Sequence, residues 1–319
     1  MADIYDSTGN IISKSYDISG DLLTMCYDYQ GNQLRKSHAV SNNITKSLLL
    51  SPNIPTGTQG FACDSITQSI AQLYGGVMYM IDVSSGEFER SNNINLGHGR
   101  TGMFAPTKTS SQEYPLLYVS GENYNVNGLY YTYLLEIIYA SNTATLNKIY
   151  AVPIVEGMFG SLCIDFDNNI VYNVVSTTYY GTTDYMYINA WDMNSLELLE
   201  GASYSPTPQE GIYALTTKLS EFQVPFIPEN QACTFFDGLL VAISDKALAE
   251  NKFYQFIDVE LQDIYMTIDK YNLMLDGELE GVSFLYNNET EKYDMIVSQR
   301  IVSSGESEYH TEYWRYEFN

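Results

Sequence analysis

From residue 59 onward, apolar residues come in short runs cut by clusters of Gly, Asn, Asp and Ser, and a helical rhythm is nearly absent. The best helix candidate, 245–253, is short. The runs fall into quartets of predicted strands. The first is 61–65, 70–74, 77–83 and 87–90, and the second is 103–106, 116–120, 130–139 and 146–152. The third is 158–166, 170–177, 185–191 and 197–199, and the fourth is 232–236, 239–244, 254–259 and 265–269. The fifth is 282–286, 293–299 and 309–316 with the last residues. Four strands per group, repeated around an axis, predict an all-β fold, a β-propeller over 59–319.

Each quartet opens on a polar residue, usually followed by Gly: Gln59-Gly60, Thr101-Gly102, Glu156-Gly157, Glu229-Asn230 and Glu280-Gly281. The spacings of 42, 55, 73 and 51 residues require insertions. Glu210-Gly211 fits the same pattern and leaves a sixth, degenerate blade over 211–228 as the alternative to five. The segment 38–58, rich in Ser, Asn and Pro, reads as a linker, and its Leu48-Leu49-Leu50 as a closing strand for the last blade.

Residues 1–37 follow another rule. Tyr5-Asp6-Ser7-Thr8-Gly9-Asn10, Tyr16-Asp17-Ile18-Ser19-Gly20-Asp21 and Tyr27-Asp28-Tyr29-Gln30-Gly31-Asn32 repeat every eleven residues and run into apolar positions. Each unit predicts a strand, a tight turn and a second strand, because Gly accepts the positive φ of such a turn and Asn or Asp bonds back to it. Hairpins this small bury little surface alone, so 1–37 is expected to be an attachment module.

Composition narrows the function. Lys and Arg total 15 against 39 Asp and Glu, a formal net charge of −24. That balance argues against nucleic-acid binding and against docking on an anionic membrane, and it suits a dispersed particle or cation binding. The N-terminus carries no secretory pattern and no run is long enough to span a bilayer. Cys26, Cys63, Cys163 and Cys233 lack CxxC spacing and read as buried free thiols made in a reducing cytoplasm.

The Tyr-Asp-x-x-Gly-Asn/Asp units resemble short N-terminal segments of virion and tail proteins of gut bacteriophages, including the crAss-like phages. Gln59-Gly60-Phe61-Ala62, Gly97-His98-Gly99-Arg100 and Leu117-Tyr118-Val119-Ser120 are similar to propeller motifs of proteins encoded by those phages and by gut bacteria. The Asn that often follows the Gly-His pair is replaced here by Arg100-Thr101. The resemblance implies a non-enzymatic virion protein, assembled in the host cytoplasm as a homo-oligomer within the particle. It would bind other virion proteins through 1–37 and present the propeller to a host glycan or to another subunit.

The blade-opening residues are the sharpest candidates for chemistry. Gln59, Thr101, Glu156, Glu229 and Glu280 would converge on one mouth of the axis as an oxygen-rich ring suited to Ca²⁺. This arrangement is similar to the axial calcium site of apyrase-type propellers. Aromatic loop positions Tyr124, Tyr179 and Tyr180, with His98 and Arg100, are the predicted ligand contacts. A propeller glycosidase is the enzymatic alternative, with Asp64, Asp165 and Glu280 as its carboxylates, although the first strand of the second quartet offers no acid. A bacterial carbohydrate-binding scaffold is the third reading. The run Asp165-Phe166-Asp167-Asn168-Asn169 lacks the Gly and distal Glu of a calcium loop and reads as a hairpin turn.

Overall fold

The computed structural model describes residues 2–5, 11–15, 25–27, 33–36, 44–54, 58–97, 99, 101–155, 159–176, 185–225, 230–245, 252–269, 278–302 and 309–318. Two compact units emerge: Met1–Ile44 with Phe318–Asn319, and Thr45–Glu317. In the first, β1 (Ala2–Tyr5) pairs with β2 (Ile11–Ser15), and β3 (Met25–Tyr27) with β4 (Gln33–Lys36), both antiparallel. The hairpins share one register: Tyr5 faces Ile11 and Tyr27 faces Gln33, with an irregularity just before each Tyr. The first and third repeat units therefore make the same hairpin twice. The middle unit's sextet, 16–21, lies outside the described residues.

The second unit is a five-bladed β-propeller. After β5 (Ile44–Leu50), blade one is β6 (Gly60–Asp64), β7 (Ser69–Tyr74), β8 (Val77–Asp82) and β9 (Phe88–Arg90). Blade two begins with β10 (Thr101–Phe104), β11 (Leu117–Val126), β12 (Leu129–Ala140) and β13 (Thr143–Ile154). Blade three begins with β14 (Phe159–Asp165), β15 (Ile170–Ser176) and β16 (Tyr185–Asp192). Then come β17 (Leu196–Leu198), β18 (Gly211–Leu215) and β19 (Lys218–Pro225). Blade four is β20 (Asn230–Phe236), β21 (Leu239–Asp245), β22 (Lys252–Asp258) and β23 (Asp263–Asp269). Blade five is β24 (Glu278–Asn287), β25 (Lys292–Val302), β26 (Tyr309–Phe318) and, outermost, β5.

Two expectations need correction. The strand predicted at 197–199 does not complete blade three: β17 pairs with β18, and β18 runs parallel to β13, which makes blade two six-stranded. Blade three is closed by β19 instead, so 211–228 makes no sixth blade. No helix occurs among the described residues, and most of the helix candidate, 246–251, lies outside them.

Faces of neighbouring blades bury the core between them. One cluster joins Leu134 and Val152 of blade two to Val174 and Ile188 of blade three and to Cys233 and Leu240 of blade four. Blade five is bound to its closing strand, where Lys46 sits 3.9 Å over the Trp314 ring. Using an N-terminal strand as the outer strand of the last blade adds ladder hydrogen bonds to the closure of the ring.

Hairpin turns repeat a single device. Asp64, Asp82, Asp165, Asp258 and Asn287 end strands, and each side-chain oxygen accepts backbone N–H groups two or three residues on. Four residues after each of these, the chain turns left-handed: φ is 54° at Gln68, 72° at Gly86, 55° at Asn169, 55° at Gln262 and 55° at Glu291. A side-chain acceptor fixes the start of the turn and the positive φ re-enters the ladder. Four of the 39 acidic residues therefore have a structural role as turn caps at strand ends.

The innermost strands create a second requirement. Each pairs on one side only, so alternate N–H groups face the axis without a ladder partner. Side chains of other blades take them. Cys63 N donates to Ser283 Oγ at 3.0 Å, Leu162 N to Ser120 Oγ at 3.1 Å and Cys233 N to Thr101 Oγ1 at 3.1 Å. The approach is close enough to exclude side chains. A Cβ on Gly281 would stand 2.6 Å from Phe61 Cδ1, and one on Gly102 would stand 3.1 Å from Ala62 Cβ.

Two substitutions test this packing by urea unfolding. Ser283→Ala leaves the buried Cys63 N–H without its acceptor and should lower stability by about 1–3 kcal/mol. Gly281→Ala should lower it by about 1–3 kcal/mol through overpacking. Ser85→Ala, in an exposed turn, should stay within about 0.5 kcal/mol of the parent.

Candidate functional site

The site grows out of the way the axis is filled. The Thr101–Cys233 bond joins blades two and four, which are not neighbours in the ring, and β10 packs against the inner strands of all four other blades. Protein therefore occupies the axis near the starts of the inner strands. Toward their ends the strands diverge and leave a hollow of ≈ 220 Å³.

Six aromatic side chains line the hollow: Phe104, Phe166, Phe235, Phe236, Phe284 and Tyr293. They belong to four blades and are held by rings behind and beside them. Phe235 stacks on Tyr172 at 5.3 Å, Phe236 on Phe284 at 4.2 Å, and Phe166 meets Tyr118 at 5.5 Å. Burial pushes the Tyr172 phenol up to about 12, with the Asp165 charge adding to the shift. Cys63 also lines the hollow, and burial raises its thiol far above the ordinary range, so it serves there as an apolar neighbour rather than a nucleophile.

Polar groups in the wall are few and mostly engaged. Ser65 Oγ accepts from Tyr286 N at 2.9 Å, and Ser283 Oγ from Cys63 N. Asp64 accepts from Ile66 N at 2.9 Å and from Thr67 N at 3.3 Å. It is only 2% exposed, and no Lys, Arg or His among the described residues lines the hollow with it.

The predicted calcium ring lies at the other ends of these strands. Gln59 Oε1 accepts from Gly75 N at 3.1 Å, Thr101 Oγ1 from Cys233 N, and Glu280 pairs with Arg300 at 3.3 Å. The three described members thus have protein partners for their side-chain oxygens. Glu156 and Glu229 lie outside the described residues. Among the described residues, no three His, Cys, Asp or Glu side chains are grouped to hold a metal.

Of the predicted ligand contacts, His98, Arg100, Tyr179 and Tyr180 lie outside the described residues. Tyr124 is described, and its ring stacks on Tyr133 at 4.3 Å and meets Tyr204 edge-on at 5.6 Å. Tyr204 OH in turn donates to Asn95 O at 2.7 Å, so this trio fastens the segment after β17 onto the propeller. The suggested glycosidase carboxylates are similarly engaged: Asp64 and Asp165 cap their turns and Glu280 holds Arg300.

One polar cluster was missed by the sequence reading. Glu136, 4% exposed, accepts from Tyr118 OH and Tyr150 OH, each at 2.9 Å, and from Asn147 Nδ2 at 2.6 Å. Burial, then the Glu136 charge, raises both phenols well above their usual range and keeps them as donors. The cluster is a satisfied brace within blade two. Its signal was a lone acid inside Leu134-Leu135-Glu136-Ile137-Ile138.

No family model matches the sequence, and no curated protein does. Solved structures do. The tail fibre of Staphylococcus aureus phage P68 matches with a TM-score of 0.50 at 12% identity, over 88% of this chain and 54% of that one. This chain therefore spans about half the length of that tail-fibre chain. A putative oxidoreductase (glucose dehydrogenase) of Thermus thermophilus matches with a TM-score of 0.45 at 10% identity, over 86% of this chain and 100% of that one. A luciferin-regenerating enzyme matches with a TM-score of 0.41 at 11% identity, over 86% and 95%. At these identities the likeness is one of fold.

Proposed function

We propose that this chain is a structural, receptor-binding component of a bacteriophage tail. Residues 1–37 attach it to the virion, and the propeller presents its loops to a host surface component or to another virion protein. The observation that carries the reading is the likeness to a phage tail fibre over 88% of this chain. The repeated hairpins support it: the same register recurs at Tyr5 and Tyr27, as expected of a modular attachment segment. The carboxylates suggested for glycosidase chemistry are engaged in turns and an ion pair, which favours a binding role over hydrolysis.

The test is incorporation. Mass spectrometry of purified particles should detect the full chain as a stoichiometric component, and deletion of 1–37 should reduce it to background. The shortened chain should melt at the same temperature as the full one, because β5 is retained. Normal incorporation of the shortened chain would remove the attachment role, and absence of the full chain from particles would remove the tail assignment.

A further inference from the structure

The axial hollow has an unbalanced chemistry. Six aromatic side chains surround it, no cationic side chain among the described residues lines it, and its one carboxylate is 2% exposed. Asp64 forms no ion pair with a described residue. Its hydrogen bonds come from Ile66 N, Thr67 N and Thr67 Oγ1 of its own turn, so a cation entering the hollow would meet a carboxylate that no described cationic side chain pairs with. A cation seated among the rings would also gain the attraction of this carboxylate.

The mouth adds to the bias. The turns that follow β14, β20 and β24 bring exposed Asp167, Asp237 and Glu289 to the same end of the inner strands. Exposed Lys292 closes the turn after β24, and Lys108, in the corresponding connection after β10, directs its ammonium at the Glu113 carbonyl at 2.8 Å. With a formal net charge of −24 on the chain, anionic ligands are disfavoured here.

Two neutral or cationic classes fit less well. A sugar needs many convergent hydrogen-bonding groups, whereas the wall offers Asp64, Ser65, Thr234, Ser283 and the Tyr293 hydroxyl, of which Asp64, Ser65 and Ser283 each already accept a backbone N–H. A primary ammonium is strongly hydrated and gives up that water poorly to a wall made mostly of aromatic rings. An alkylated ammonium meets neither obstacle. Its methyl groups contact ring carbons, its diffuse charge is attracted by aromatic faces, and a single carboxylate balances it.

We propose that the hollow at the ends of the inner strands binds an organic cation bearing N-alkyl groups. The aromatic side chains of blades two to five enclose the alkyl groups, and Asp64 supplies the counter-charge. The site does not depend on the tail assignment. A purified chain can bind such a cation whether or not it enters a particle.

Titration calorimetry of the full chain with choline, against neohexanol as its uncharged carbon isostere, tests the proposal. Choline should saturate one site, with neohexanol about tenfold weaker, the difference expected of a cation among aromatic rings. Asp64→Asn keeps an acceptor for Ile66 N and removes the charge, and should weaken choline about tenfold while leaving neohexanol unchanged. Tyr293→Leu, at a rim position 47% exposed whose replacement leaves the core intact, should weaken choline more than neohexanol. Equal affinity for the two compounds, no choline binding, or full choline affinity in a folded Asp64→Asn chain would each overturn it. No choline binding together with saturable binding of a hexose that Tyr293→Leu weakens would assign the hollow to sugars instead.

Discussion

The inner strand of each blade has a partner on one side only, and the rest of the propeller is arranged around that fact. An unpaired edge at the surface can turn to water, but five such edges facing one axis cannot all do so. Here Ser283, Ser120 and Thr101 supply acceptors across blade boundaries, and glycines at 102 and 281 let the strands come close enough to be reached. The blades are thus tied by directional bonds at the axis and by apolar faces farther out. Removing either would leave buried amides or loose sheets.

The same crowding decides where a ligand can go. Near their starts the strands are too close for any cavity, as the Thr101–Cys233 contact shows. Near their ends the backbone diverges, and bulky rings stand where the small residues stood. Five of these rings lean on a neighbouring ring instead of filling the space, as Phe235 does on Tyr172 and Phe236 on Phe284. The hollow is therefore bounded by aromatic pairs already fixed by packing, which limits the entropy lost when something enters it.

Strand order was largely legible because turns and apolar runs alternate so regularly. The strands of blades one and four were placed to within two residues, since their described connections are short and are Asp-capped turns or Gly-containing reversals. The exchange between blades two and three was not legible. Leu196–Leu198 and Lys218–Pro225 are both plausible outer strands by composition, and only the parallel pairing of Gly211–Leu215 with β13 decides between them. Such a pairing joins segments more than sixty residues apart and leaves no local mark.

The candidate hollow was not legible for a related reason. The polar-Gly pairs that open the blades drew attention to the polar member, read as a ligand for an ion, whereas the physical demand falls on the glycine. Gly102 and Gly281 sit where a methyl group would strike the next blade, and the adjacent Thr101 and Glu280 are engaged by Cys233 N and Arg300. A second pattern lay farther along the chain, where Phe104, Phe166 and Phe235 stand at or beside the ends of inner strands and Phe284 lies three residues before the end of β24. One Phe in an apolar run carries little meaning. Four from different blades line one hollow, and that convergence exists only once the ring is closed.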